Sequence, residues 1–198
     1  MSKKESSFLS MVVSLLIITL VSGLSLGFVN DLTAGPKAKA KLEKKIKALK
    51  LVLPAFDNNP VEEVTKVISE QAKDSVELYP AFSESNFVGA AVIGSSEKGF
   101  SGLIKIMIGF TETGKIENIE VLEQKETPGL GTKMKGEKFL KQFRGIDPAT
   151  YNLKVKKDGG DVDALTGATI TSRAFGEAVQ MGYDEFVENK ETLKNSKN

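Results

Sequence analysis

The chain has 198 residues, enough for one globular domain with room to spare. Its 27 Lys and Arg against 26 Asp and Glu leave a net charge of +1, so nothing in the overall charge draws it to nucleic acid. It contains no cysteine and no histidine, which excludes disulfides, thiolate-held iron–sulfur clusters, histidine-ligated haem, the common zinc sites and every Cys or His nucleophile or base.

Redox chemistry in such a chain needs an organic cofactor or a metal held by oxygen ligands, and no cluster of residues suggests a metal site.

Residues 8–29 carry no charge, and their number matches the roughly 20 residues that span a bilayer as a helix. Gly23 and Gly27 are tolerated in such helices. The run is longer than a signal-peptide core and no A-x-A cleavage site follows it, so an uncleaved anchor is expected. Lys3 and Lys4 before it favour a cytoplasmic N-terminus, whereas the lysines from Lys37 to Lys50 beyond it argue for the reverse. The first signal is expected to win, because long domains after a span translocate largely regardless of their charge.

Leu42, Ile46, Leu49 and Leu53 recur at three- and four-residue steps and predict an amphipathic helix over 37–53, stopped by Pro54. This is a stalk, or a first helix laid on the globular core. Residues 55–60 read as a loop, and 61–67 are β-branched but weakly patterned. Strands are expected at 87–93, 100–110 and 116–122, with a polar loop at 95–99 and a hairpin turn at 111–115. After a break at 126–131 come a short helix at 136–143 bearing Phe139, Leu140 and Phe143, and a strand at 151–155. A turn at 156–160 and a loop at 161–171 lead to an amphipathic helix over 172–188 carrying Phe175, Val179, Tyr183 and Phe186 or Val187.

The fold class is α+β: one N-terminal transmembrane helix, then a small domain with an antiparallel sheet flanked by helices. The expected division is a cytoplasmic N-terminus at 1–7, the transmembrane helix at 8–29, linker and amphipathic helix at 30–60, the domain at 61–190 and a polar tail at 191–198.

Two segments carry candidate chemistry. In the first, Asp163 is followed by Thr166, Gly167, Ala168, Thr169, Thr171 and Ser172, running into the last helix. Free N–H groups and the positive end of the helix dipole suit a phosphate there, and Gly167 and Ala168 let the backbone approach closely. The same residues also make an ordinary helix cap, with Thr171 or Ser172 as N-cap. The second segment is Glu126-Thr127-Pro128-Gly129-Leu130-Gly131, on its own a Pro-Gly turn after a strand.

The first segment resembles the flavinylation motif of the FMN-binding domain family. That resemblance implies FMN held in a phosphoester to Thr169, with Thr166, Gly167 and Ala168 completing the motif and Asp163 in its upstream acidic place. The second segment is similar to the family's Glu-Thr-Pro-Gly-Leu-Gly loop, which lies against the flavin. There Glu126, Thr127, Gly129 and Gly131 would shape the surroundings of the ring and Leu130 would cover a face.

In order of elements the whole chain resembles the G subunits of Rnf ion-translocating electron-transport complexes. Close relatives are the C subunits of the sodium-translocating NADH:quinone reductases. The resemblance implies an FMN electron carrier with no catalytic residue beyond the flavin, working among other membrane subunits that move electrons between ferredoxin and NAD, coupled to ion translocation. It also implies a bilayer-anchored chain, a flavin domain outside the cytoplasm of a bacterial inner membrane, and maturation by a flavin transferase. Two alternatives stay open: a quinone-reductase C-like subunit, and a stand-alone membrane-anchored FMN reductase. In a third, the threonine loop is a helix cap on a scaffold domain.

Overall fold

The computed structural model describes residues 8–69 and 75–196, in two units, Met1–Glu43 and Lys44–Asn198. The N-terminal segment with Lys3 and Lys4 lies outside the described residues.

In the first unit the described structure is helical and belongs to α1 (Phe8–Val52). Its large apolar side chains, Leu15, Ile18, Leu24 and Phe28 among them, are exposed. By length and composition this helix is long and apolar enough to cross a membrane. The helix continues through Pro36. Proline removes one intrahelical hydrogen bond but holds a helix-compatible φ, and the alanines, leucines and lysines around it are strong helix formers.

The second unit is built on a five-stranded sheet in the order β1-β2-β3-β4-β5. The strands are β1 (Thr65–Ile68), β2 (Ser75–Ser83), β3 (Asn86–Gly99), β4 (Gly102–Thr111) and β5 (Ile116–Glu123), and every neighbouring pair is antiparallel. Strand β2 has no counterpart among the expected strands. Pro80 sits inside it, and proline argues against a strand interior. It is accommodated because β1 pairs only with the stretch from Ser75 to Leu78, so Pro80 lies beyond its reach.

The polar loop expected at 95–99 is instead the end of β3, with Ser95 opposite Lys105 and Ser96 opposite Ile104. The backbone ladder needs no apolar side chain, and the buried Ser96 hydroxyl donates to Glu177 Oε2 at 3.1 Å.

Both faces of the sheet are covered, which is why β4 reads as an almost unbroken apolar run. One face turns Ile104, Ile106, Ile108 and Phe110 toward Phe175, Val179 and Phe186 of α3 (Thr169–Lys194). The other packs Met107, Ala91 and Tyr79 against Ala48, Leu49 and Val52 at the end of α1. Gly109 is required there, since a Cβ would run into the Val52 backbone carbonyl. In the expected 37–53 stripe, Leu49 and Leu53 are buried, but Leu42 and Ile46 are exposed. Lys45 adds a salt bridge to Glu77 at 2.6 Å, and the Tyr79 hydroxyl donates to the same carboxylate.

Two further expectations are corrected. Residues 151–155 form no strand among the described residues, only a single bridge between Val155 and Val162. The apolar side chains of Leu153 and Val155 record burial, not sheet pairing. The last helix starts at Thr169 rather than at residue 172, and it runs to Lys194 with Leu193 fully buried, past residue 191 where the polar tail is expected to begin. The expected short helix is α2 (Glu137–Leu140) continued by a 3-10 turn (Lys141–Phe143), with Phe139, Leu140 and Phe143 in the core.

Candidate functional site

A cleft of about 350 Å³ opens where three elements meet: the tip of the β3–β4 hairpin, the 126–131 loop and the first turn of α3. Phe100 lines it from the hairpin, Thr127 and Leu130 from the loop, and Thr169, Ile170 and Thr171 from the helix.

The helix contributes first by where it starts. Ala168 is the N-cap and makes no side-chain capping bond, while the Ser172 N–H donates to the Ala168 carbonyl at 3.0 Å. The N–H groups of Thr169, Ile170 and Thr171 therefore precede the first turn's hydrogen bonds and stand at the positive end of a 26-residue helix. An anion in the cleft would meet three backbone donors and a favourable dipole.

The hydroxyls of this segment are not equivalent. Thr171 is buried, and its hydroxyl donates to Glu126 Oε2 at 2.5 Å. The Ser172 hydroxyl is buried, donates to the Ala168 carbonyl at 3.0 Å and accepts from the Leu165 N–H at 2.9 Å. Both are spoken for by the fold. Thr166 is exposed but does not line the cleft. Thr169 is half-buried, lines the cleft and forms no side-chain hydrogen bond with the described residues. Among the hydroxyls of this segment it alone both lines the cleft and is left unbonded by the described residues. The upstream Asp163 is exposed and pairs with Lys156 at 2.8 Å, outside the cleft lining.

The second motif behaves differently from a row of flavin contacts. Glu126 is 4% exposed, and both carboxylate oxygens are engaged by the protein: Oε1 accepts from the Ser101 N–H at 2.9 Å and Oε2 from Thr171. Glu126 thus joins all three elements that wall the cleft. Gly131 makes this possible, because a Cβ there would lie 2.6 Å from Glu126 Oε2 and 2.8 Å from Thr171 Oγ1.

The rest of the loop is a tight turn. The Leu130 and Thr132 N–H groups donate to the Thr127 carbonyl at 3.2 and 3.4 Å, and the Gly129 N–H donates to the Thr132 hydroxyl at 3.0 Å. Gly129 adopts φ 78°, is exposed and does not line the cleft. Leu130 is 43% exposed and reaches toward Gly167, whose added Cβ would lie 3.2 Å from Leu130 Cδ2. Gly167 and Ala168 line the cleft as expected of small residues that leave room.

Phe100 and Ile170 were not among the candidates from sequence. Phe100 reads there as the first residue of a strand, although its place in Gly-Phe-Ser-Gly marks a hairpin tip.

Residues 99–184 match the family described as FMN-binding domain. The G subunit of the ion-translocating oxidoreductase complex of Cereibacter sphaeroides is 33% identical over 177 residues, covering 86% of this chain and 80% of that protein. The chain belongs to the family of G subunits of ion-translocating oxidoreductase complexes. Another member, the G subunit of the Na(+)-translocating ferredoxin:NAD(+) oxidoreductase complex of Acetobacterium woodii, is 31% identical over 84% of this chain and 86% of its own length.

The crystal structure of NqrC from Shewanella oneidensis superposes with a TM-score of 0.50 at 23% identity, covering 69% of this chain and 70% of that one, and shows the shared fold. The G subunits are parts of ion-translocating oxidoreductases, and one apolar N-terminal helix fits a membrane-anchored member. The residues of the cleft suit FMN: backbone donors for a phosphate, small residues beside them, and the apolar Phe100, Leu130 and Ile170 for a flat ring.

Proposed function

We propose that this chain carries FMN bonded through its phosphate to Thr169 and serves as the single-flavin relay of a membrane-bound complex. That complex moves electrons between ferredoxin and NAD, coupled to ion translocation. The observation that carries the reading is the Thr169 hydroxyl, free and accessible at the uncapped start of α3, while Thr171 and Ser172 are held by the fold. The isoalloxazine supplies redox chemistry that a chain without cysteine or histidine does not. The protein's part is to hold the phosphate on the helix N–H groups, orient the ring in the cleft through Glu126, and screen it with Leu130.

The mature chain has further partners in this reading: the other membrane subunits, the lipid bilayer around residues 8–29, and a flavin transferase that esterifies Thr169. The domain from about residue 61 onward lies outside the cytoplasm of a bacterial inner membrane, joined to the span through 30–60.

Intact mass and in-gel fluorescence test the attachment. The purified chain should exceed its sequence mass by one FMN less one water and fluoresce after denaturation. Thr169→Ala should lose both signals, and Thr166→Ala should keep them. Fluorescence that persists in Thr169→Ala disproves the assignment.

A further inference from the structure

Phe100 is a large aromatic side chain left 67% exposed at the tip of the β3–β4 hairpin, where it lines the cleft. An exposed phenyl ring gains nothing for the chain's own core. Yet the tip that carries it is tied down on two sides.

On one side the Ser101 N–H donates to the buried Glu126 at 2.9 Å. On the other, the Lys98 N–H donates to the Ser96 hydroxyl at 3.2 Å, and Ser96 and the Lys98 ammonium both donate to Glu177 of α3, at 3.1 and 3.0 Å. A fixed backbone thus presents an aromatic face to the cleft that Thr169 also lines, with Leu130 and Ile170 exposed around it at 43% and 47%.

We propose that Phe100 contacts the isoalloxazine ring as an aromatic wall of the flavin site, set in place by Glu126 through Ser101. This rests on FMN being attached at Thr169. Stacking or edge contact between the two flat rings buries the phenyl surface that the polypeptide leaves open. It also explains why a buried carboxylate is spent on a hairpin tip that contributes no core residue.

The chain contains no tryptophan, so an introduced indole is a clean contact reporter. An indole touching a photo-excited flavin donates an electron that then returns, which quenches fluorescence without net chemistry. The experiment compares the full-length, flavin-loaded Phe100→Trp chain with Ile68→Trp, placed on edge strand β1 where the side chain is 96% exposed.

Native flavin fluorescence should fall severalfold in Phe100→Trp and return to the Ile68→Trp level on denaturation. Phe100→Tyr, close to the native shape but oxidisable, should be quenched to a smaller degree. Full FMN loading by mass with equal native fluorescence in the Phe100→Trp and Ile68→Trp chains overturns this inference alone. A parent chain without the FMN mass overturns the attachment and this inference together.

Discussion

The Thr171 hydroxyl and the Glu126 carboxylate meet at 2.5 Å, both buried, and this contact joins the start of α3 to the loop that ends β5. A third group, the Ser101 N–H, shares the same carboxylate at 2.9 Å. The cleft walls are therefore coupled through one side chain, so damage to it reaches the whole cleft.

Removing the carboxylate leaves two donors without a partner. Glu126→Ala should lower stability by about 2 kcal/mol, the usual penalty for orphaning buried polar groups. Urea melts of the detergent-solubilised chain measure this. Thr171→Val, of nearly the same shape, should also be destabilised yet keep its attached FMN by mass, because its hydroxyl is already held by Glu126. Loss of flavin from Thr171→Val with Thr169 intact contradicts that arrangement.

Two glycines of the loop should fail for different reasons. Gly131→Ala drives a methyl into the Glu126–Thr171 contact and should destabilise by about 1–3 kcal/mol, with a shifted flavin absorbance. Gly129→Ala meets no neighbouring atom within 4 Å and is strained only through its φ of 78°, at about 1 kcal/mol, with the spectrum unchanged. Absorbance spectra of the two variants decide; a larger spectral change in Gly129→Ala would reverse the ranking.

The carboxylate and phenol beside the end of α1 set the pH limits of that contact. Burial works against ionisation of Glu77, but the Lys45 ammonium and Tyr79 hydroxyl that donate to it bring its carboxyl below the ordinary 4.5. A depressed folded value means stability present above pH 4.5 and lost as pH falls through the lower folded value. Burial first, and then Glu77, push the Tyr79 phenol above its ordinary 10, so its contribution is complete below pH 10 and fades as pH rises further. Urea midpoints against pH should show a shallower acid limb in Glu77→Gln and a shallower alkaline limb in Tyr79→Phe. Limbs as steep as the parent's would locate the titrating groups elsewhere.

Leu193, near the end of α3, is fully buried in the core shared with Phe110 and Phe186. Leu193→Ala should lower stability by about 3 kcal/mol, as large-to-small core changes do. A loss below about 0.5 kcal/mol, the range of ordinary surface changes, would mean that the helix end is not packed.

Orientation is testable because the native chain has no cysteine. Ser96 is a poor place for a reporter, being buried in β3 and bonded to Glu177. Lys157, exposed in the turn Lys156–Asp158, is better. Lys157→Cys should react with a membrane-impermeant thiol reagent on intact cells, and Ser2→Cys only after the cells are opened. The opposite pattern would place the flavin domain inside.

The sequence by itself determined what depends on local pattern and chemistry. The uncharged run at 8–29, the strands near 102–111 and 116–123, and the two motifs were legible because periodicity, turn glycines and residue type carry those signals directly. The absence of cysteine and histidine was equally direct, and it narrowed redox chemistry before any fold was known.

Only the tertiary structure decided which of these threonine hydroxyls is both unbonded and on the cleft, because Thr166, Thr169 and Thr171 are alike until the cleft lining and a distant Glu126 distinguish them. The same holds for β2, whose proline is acceptable only where β1 stops, and for residues 151–155, whose apolar pattern fits a strand and a buried loop equally. Phe100 is the clearest case. Its exposure and its tether to Glu126 arise from contacts 25 residues apart in sequence, and no local pattern encodes a contact made across that distance.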